Sequence, residues 1–222
     1  MRERRLAAVL FDLDGTLIDS APDLAGAANE MRVARGLALL PLAHYRPMVG
    51  TGARGMLGQA LGIGPDHPDF IALRDEFLAR YEQRMAQETR VFDGMLEVIE
   101  GLQASCIPWG IVTNKATRYA HPLTQHLGLR SGACALVCGD TTAHAKPHPE
   151  PLLEAARQAG IAPAQCMYVG DDLRDVQAGR AAGMITVAAA WGYLGAGEAI
   201  EAWNADHTVA TPEALLKLIH LA

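Results

Sequence analysis

Asp12 and Asp14 stand one residue apart at the end of an apolar run, in Phe11-Asp12-Leu13-Asp14-Gly15-Thr16-Leu17-Ile18-Asp19-Ser20. A carboxylate emerging from a rigid strand can attack phosphorus and form an aspartyl phosphate, provided that cations offset the repulsion between two anions. A second carboxylate two residues on can protonate the leaving oxygen and later deprotonate the attacking water. Crowded carboxylates push one another's pKa upward, which would let Asp14 begin protonated. Gly170-Asp171-Asp172-Leu173-Arg174-Asp175 brings further carboxylates. An all-oxygen cluster of this kind calls for a hard cation, most simply Mg²⁺. Thr113 and the amide of Asn114 are suited to equatorial phosphoryl oxygens. Lys146, in Ala145-Lys146-Pro147-His148-Pro149, is suited to offset charge on the nucleophile and the phosphate.

The elements that must position these groups are legible as short apolar runs at 7–11, 109–112, 135–138, 166–169 and 185–188, with a weaker one at 207–209. None alternates cleanly, which suits strands covered on both faces. Helical patterns lie between them. Met95, Val98, Ile99 and Leu102 fall at i, i+3, i+4 and i+7, and the helix over 149–159 ends at Gly160, a C′ residue. Strands alternating with helices predict a parallel α/β sheet, doubly wound and Rossmann-like. Each reactive residue would then stand at a strand's carboxyl end, where open sheets of this class bind ligands.

One stretch breaks the rhythm. From about Ser20 to Glu88 there are helices and Gly-rich turns but no strand. Ser20 and Asp23 have the spacing of a capping box, Leu24, Ala27, Ala28 and Met31 share a face, and Phe70, Leu73, Phe77 and Tyr81 form a later stripe. The expected organisation is a core of residues 1–18 and 90–222 with an all-helical cap, residues 19–89, inserted after the first strand. Arg54, in Gly50-Thr51-Gly52-Ala53-Arg54 of that insert, either reaches a substrate anion or is an ordinary surface arginine. Arg118 and the Trp191-Gly192-Tyr193 turn carry the same two readings, and His44, His144 and His148 read as surface or loop residues.

The 222 residues are half hydrophobic and one-fifth charged, as in a soluble globular protein, and the net charge of −6 argues against a nucleic-acid surface. The apolar run behind the charged Met1–Arg5 start, Leu6 to Phe11, is too short for a signal-peptide core or a membrane span. Cys106, Cys134, Cys138 and Cys166 include no C-x-x-C pair and have apolar neighbours, so they are expected to be buried reduced thiols. The expected setting is the cytoplasm. The expected partner is a small phosphorylated metabolite, with no nucleic acid or membrane, and the chain is expected to be a monomer or small homo-oligomer.

The motif Asp12-x-Asp14-Gly15-Thr16-Leu17-x-Asp19-Ser20, followed in order by Thr113, Lys146 and Gly170-Asp171-x-x-x-Asp175, resembles the haloacid dehalogenase superfamily along essentially the whole chain. It looks like the phosphoglycolate phosphatase branch, whose helical cap follows the first strand. The segments Trp109–Lys115, Lys146–Leu152 and Val169–Asp175 are similar to those of proteobacterial N-acetylmuramic acid 6-phosphate phosphatases. The resemblance implies a phosphomonoester hydrolase with Asp12 as nucleophile and Asp14 as general acid/base. Mg²⁺ would be held by the Asp12 carboxylate, the Asp14 backbone carbonyl and Asp171. Thr113 and Lys146 would bind phosphate, with Asp175 in support. Asp172 departs from the branch, where Ser or Thr usually follows Gly-Asp, and is expected to be an outer carboxylate. Two rival readings use related parts. A phosphosugar mutase would retain the phosphoryl group, and a receiver-type phosphoacceptor module would carry its acidic pair after a middle strand.

Overall fold

The computed structural model of the chain describes residues 6–221, so the charged start Met1–Arg5 lies outside it. In chain order the elements are β1 (Ala8–Phe11), β2 (Ile18–Asp19), α1 (Ala21–Val33), α2 (Leu42–Tyr45), α3 (Gly52–Leu61), α4 (Phe70–Arg84), β3 (Arg90–Val91), α5 (Met95–Ala104), β4 (Trp109–Val112), α6 (Thr117–His126), β5 (Leu136–Val137), α7 (Glu150–Ala159), β6 (Cys166–Gly170), α8 (Leu173–Ala181), β7 (Ile185–Ala189), β8 (His207–Val209) and α9 (Pro212–Leu221). A 3₁₀ turn over Arg46–Thr51 joins α2 to α3.

Six strands form one parallel sheet in the order β5-β4-β1-β6-β7-β8. The chain winds outward from β1 in both directions, so the topological switch lies where β1 is flanked by β4 and β6. The central strands are buried throughout because both faces are covered. Val9 and Phe11 point into a core shared with Val98 and Leu102 of α5, Leu123 of α6 and Ile219 of α9. Ala8 and Leu10 point the other way, against Leu152 and Ala155 of α7 and Ala178 of α8. Two-sided burial is why these runs read as continuous apolar stretches rather than alternating ones.

The helices between Ala21 and Arg84 have a core of their own. Ala28 and Met31 of α1, Tyr45, Met56 and Leu57 of α3, and Phe77 and Tyr81 of α4 form one buried cluster. Tyr119 and Tyr193 join it from the sheet half of the molecule. The small residues of α1 let α4 pack closely against it.

The chain passes between the two halves through β2 and β3, which pair antiparallel, Ile18 with Val91 and Asp19 with Arg90. Two residues each is too short a run to show in a hydrophobic pattern. The expected capping box at the start of α1 does not form. Ser20 Oγ instead donates to Asp14 Oδ1 at 2.5 Å, and Tyr193 Oη accepts from the backbone N–H of Ser20 (2.8 Å) and Ala21 (3.0 Å). Asp23 turns to the returning linker, accepting from the Thr89 backbone N–H (2.9 Å), Thr89 Oγ1 (2.7 Å) and the Glu88 backbone N–H (3.1 Å). A carboxylate fully out of solvent thus ties the two linkers together. Asp23→Ala would strand these three donors and is expected to cost about 3 kcal/mol, measured by urea unfolding. A loss below about 0.5 kcal/mol, within the range of ordinary surface substitutions, would sink that role.

The cysteines divide: Cys138 and Cys166 are buried, whereas Cys106 and Cys134 are exposed, and all four are free. Apolar neighbours misled here because Cys106 sits in the turn after α5 with a positive φ of 53°. Among the described residues no helix is long and apolar enough to cross a membrane.

Candidate active site

The carboxyl ends of β1, β4 and β6 meet under α1, α3 and α4. Asp12, Asp14, Thr113, Asn114, Lys146, Asp171, Asp172 and Asp175 all line one cavity of about 280 Å³ there. The Asp12 N–H still bonds to the Val169 carbonyl at 2.9 Å, so the strand ladder fixes this residue. Lys146 reaches across from the 140–150 loop. Its Nζ lies 2.8 Å from Asp12 Oδ1 and 2.8 Å from Asp175 Oδ1, and donates to Tyr168 Oη (2.8 Å) and the Val112 carbonyl (3.0 Å). Asn114 holds that loop through two 2.9 Å bonds between its side-chain amide and the Lys146 backbone. Its side chain therefore positions Lys146. Thr113 is buried beside it.

Asp171 is clamped on both oxygens, by Thr16 Oγ1 and the Tyr193 N–H, each at 2.8 Å. Gly15, with φ of +93°, and Gly192 press against it, and a Cβ at either position would collide with the carboxylate. Only glycine tolerates that approach, and at Gly15 that φ as well. Asp175 accepts the Asp172 N–H at 3.1 Å, and Asp172 accepts the Arg174 N–H at 2.9 Å, a reciprocal cap at the start of α8.

Oxygens of Asp12, Asp171 and Asp175 lie within 4.8 Å of one another, with Lys146 as the ammonium among them. Burial pushes the Asp12 carboxyl up to about 7, with Lys146 pulling it down and Asp175 and Asp14 pushing it further up. Asp171 is raised well above the usual carboxylate range, first by burial and then by Asp12 and Asp175. Burial works against the Lys146 charge, but Asp12 and Asp175 outweigh it and raise its pKa. Three carboxylates around one ammonium form a cluster short of positive charge. An all-oxygen donor set of this kind fits a hard divalent cation.

Several side chains sit where the sequence did not put them. The Asp14 carboxylate faces away from Lys146 and pairs with Lys115, whose Nζ lies 2.9 and 3.2 Å from its two oxygens. Asp172 forms a two-pronged pair with Arg174 (2.7 and 2.8 Å), which outweighs its burial and lowers its pKa. Arg174 also donates to the Gly50 carbonyl, bridging α8 to the helical half. Arg54 is exposed and lines a second cleft beyond Arg174, with Leu194 and Trp203. Trp191 and Tyr193 grip the linker rather than the cavity: Trp191 Nε1 donates to the Thr16 carbonyl at 3.1 Å, and Tyr193 Oη contacts Asp19 at 3.0 Å. His144 and His148 lie on the surface as expected, but they converge with Glu150.

Lys115 and Tyr81 are polar cavity residues to which sequence reasoning gave no chemical role. Lys115 directly follows Thr113-Asn114, so proximity to the motif was its one signal. Tyr81 was read only as part of an apolar stripe.

Residues 9–189 match the family model described as haloacid dehalogenase-like hydrolase. The chain is 41% identical over 222 residues to an N-acetylmuramic acid 6-phosphate phosphatase of Pseudomonas aeruginosa, covering 100% of this chain and 98% of that one. It is 47% identical over 212 residues to a phosphoglycolate phosphatase of Xanthomonas campestris, covering 94% of each. A crystal structure of a predicted phosphoglycolate phosphatase from Haemophilus somnus superposes with a TM-score of 0.85 at 25% identity, over 98% of this chain and 99% of that one.

Proposed function

The chain belongs to the haloacid dehalogenase-like hydrolase family and is an enzyme of the phosphatase class, and from its cavity we propose that it is a Mg²⁺-dependent phosphomonoesterase working through a phosphoaspartyl intermediate on Asp12. The observation that carries this reading is the buried cluster of Asp12, Asp171 and Asp175 around Lys146, at the floor of one cavity. The substrate is a small phosphorylated metabolite of the 2-phosphoglycolate or N-acetylmuramic acid 6-phosphate type, as the names of the two relatives suggest. The setting is the cytoplasm, where the four free thiols stay reduced.

Asp12 Oδ attacks phosphorus as the bond to the ester oxygen breaks, and Asp14, released from Lys115 and carrying the proton taken from water in the previous turnover, gives that oxygen its proton. Asp14 then takes a proton from water, whose oxygen attacks phosphorus and releases Asp12. Thr113, the Asn114 N–H and Lys146 bind the phosphoryl oxygens. A divalent cation held by Asp12, the Asp14 backbone carbonyl and Asp171 would neutralise charge between nucleophile and phosphate. Asp175, already bonded to Lys146, Tyr168 and the Asp172 N–H, supports Lys146, and Asp172 orients Arg174. Residues 19–89 act as the cap, hinged at β2 and β3, excluding water when closed. Arg54 would reach substrate only if closure moves it past Arg174.

Purified protein with Mg²⁺ should release inorganic phosphate from 2-phosphoglycolate, N-acetylmuramic acid 6-phosphate or both. EDTA should abolish release, and Ca²⁺ should inhibit it, because its larger, looser shell misplaces the nucleophile. Full activity in EDTA would remove the metal from the reading. Silence on both esters with Mg²⁺ present would remove the substrate assignment.

A further inference from the structure

The walls of the 280 Å³ cavity differ in chemistry. The floor is the acidic cluster with Lys146 and Thr113. The roof, from the helical half, is apolar: Leu24, Val49, Phe77 and Leu78. Between them stand Tyr81 and Lys115, two polar groups that phosphoryl chemistry does not use.

Tyr81 is 1% exposed, and its hydroxyl has no hydrogen-bond partner among the described residues. Lys115 is the nearest cation, but its ammonium lies over the ring, 4.8 Å from the centroid, and its hydrogen bonds go to the two oxygens of Asp14. A buried hydroxyl left unpaired is destabilising, and natural structures keep few of them. Burial pushes the Tyr81 hydroxyl up to about 12, so it is a neutral donor at working pH. Lys115 has the complementary problem. Its side chain is 8% exposed, and Asp14 is the anion that balances it. In the reaction proposed above, Asp14 must turn to the leaving oxygen, which leaves a buried ammonium with no counter-charge.

We propose that Tyr81 Oη and Lys115 Nζ form the leaving-group subsite, and that it accepts a carboxylate carried by the leaving group. The carboxylate takes over Lys115 as Asp14 departs and accepts the Tyr81 hydroxyl, while the apolar roof covers the carbon skeleton. Lys115 is one hydrogen bond from the residue that must touch the leaving oxygen, so the acid group sits on the same side of the ester. This rests on the phosphatase reading and deepens it.

Two matched substrate pairs test it: 2-phosphoglycolate against 2-hydroxyethyl phosphate, and N-acetylmuramic acid 6-phosphate against N-acetylglucosamine 6-phosphate. Within each pair the carboxylate is the main difference, and the pair that responds identifies its source. Wild-type protein should prefer the carboxylate in at least one pair by kcat/KM. Tyr81→Phe should cut that preference about tenfold, mainly through KM. Without substrate, the same variant should melt no lower than wild type, since it removes an unpaired hydroxyl. Equal losses on both members of the responding pair, or a lowered Tm, would make Tyr81 structural and overturn the subsite. Hydrolysis of p-nitrophenyl phosphate with no carboxylate preference in either pair would overturn it and leave the phosphatase reading standing. No phosphate release from any of these esters would remove the phosphatase reading itself.

Discussion

Asp12→Asn is expected to lower turnover by at least about 10⁴-fold and to abolish labelling of the protein by a phosphorylated substrate. An amide oxygen is too weak a nucleophile to open a phosphoester, and no other carboxylate in the cavity is free to replace it. Asp171 is clamped by Thr16 and the Tyr193 N–H, Asp175 is held by Lys146 and Tyr168, Asp172 is paired with Arg174, and Asp14 is turned to Lys115 and Ser20. The substitution should nevertheless keep the fold. Asn has the same shape and can still accept from Lys146. It also removes a charge that the folded state accommodates poorly, since burial holds the Asp12 carboxyl at about 7 against its ordinary 3.8. With the folded pKa above the unfolded one, ionised Asp12 lowers stability, and the loss grows as pH rises from about 4 through 7. In chelator at pH 8, then, the Asn variant should melt at or above the wild-type temperature while being inactive. Acid-quenched labelling, steady-state phosphate release and a melting curve separate these effects. Turnover within tenfold of wild type, or a surviving acid-stable label, would move the nucleophile elsewhere.

The sequence disclosed most where backbone and chemistry coincide. β1, β4 and β6 are buried on both faces, so they appear as unbroken apolar runs, and each ends where the ladder gives way to the cavity. Asp12, Thr113 and Asp171 could therefore be placed by position as well as by type. The small β2–β3 ribbon was invisible because two-residue strands carry no period. The start of α1 shows a subtler limit. Ser20 and Asp23 have the spacing of a capping box, but Asp14 and the Thr89 linker offer them better partners from far along the chain. Local pattern identifies which groups can pair, and tertiary structure decides with whom. The same holds for Tyr81, whose ring satisfies the apolar stripe of α4 while its hydroxyl ends in the cavity wall, and for Arg54, which shares a segment with Gly50 yet faces another cleft. Asp172, the departure from Ser or Thr, becomes intelligible only beside Arg174, whose contact with Gly50 joins the two halves.

Lys146→Met is expected to lower turnover about 10²–10³-fold on every ester, including p-nitrophenyl phosphate, because the phosphoryl group is common to all of them. That uniformity distinguishes it from Tyr81→Phe, whose effect should depend on the leaving group. Its stability signature is separate and has a definite sign. Lys146 is the strongest influence holding the Asp12 pKa down, and without it that pKa climbs above about 7. At pH 5 Asp12 is then mostly protonated in the folded state with or without Lys146. There the substitution removes the bonds to Tyr168 and Val112 and the pairing with Asp175. At pH 8 it adds repulsion between carboxylates that no ammonium offsets, and the folded state must either ionise them at a cost or take up protons. In chelator, the Tm gap between wild type and variant should therefore widen from pH 5 to pH 8. Added Mg²⁺ should narrow the gap at pH 8, because a dication meets the same excess of negative charge. A gap equal at the two pH values would reduce Lys146 to a packing residue, and a gap that Mg²⁺ leaves unchanged would detach the metal from Asp12 and Asp171. The ammonium and a bound dication would thus be two answers to one electrostatic problem, set by Asp12 and Asp171 after β1 and β6 and by Asp175 in the first turn of α8.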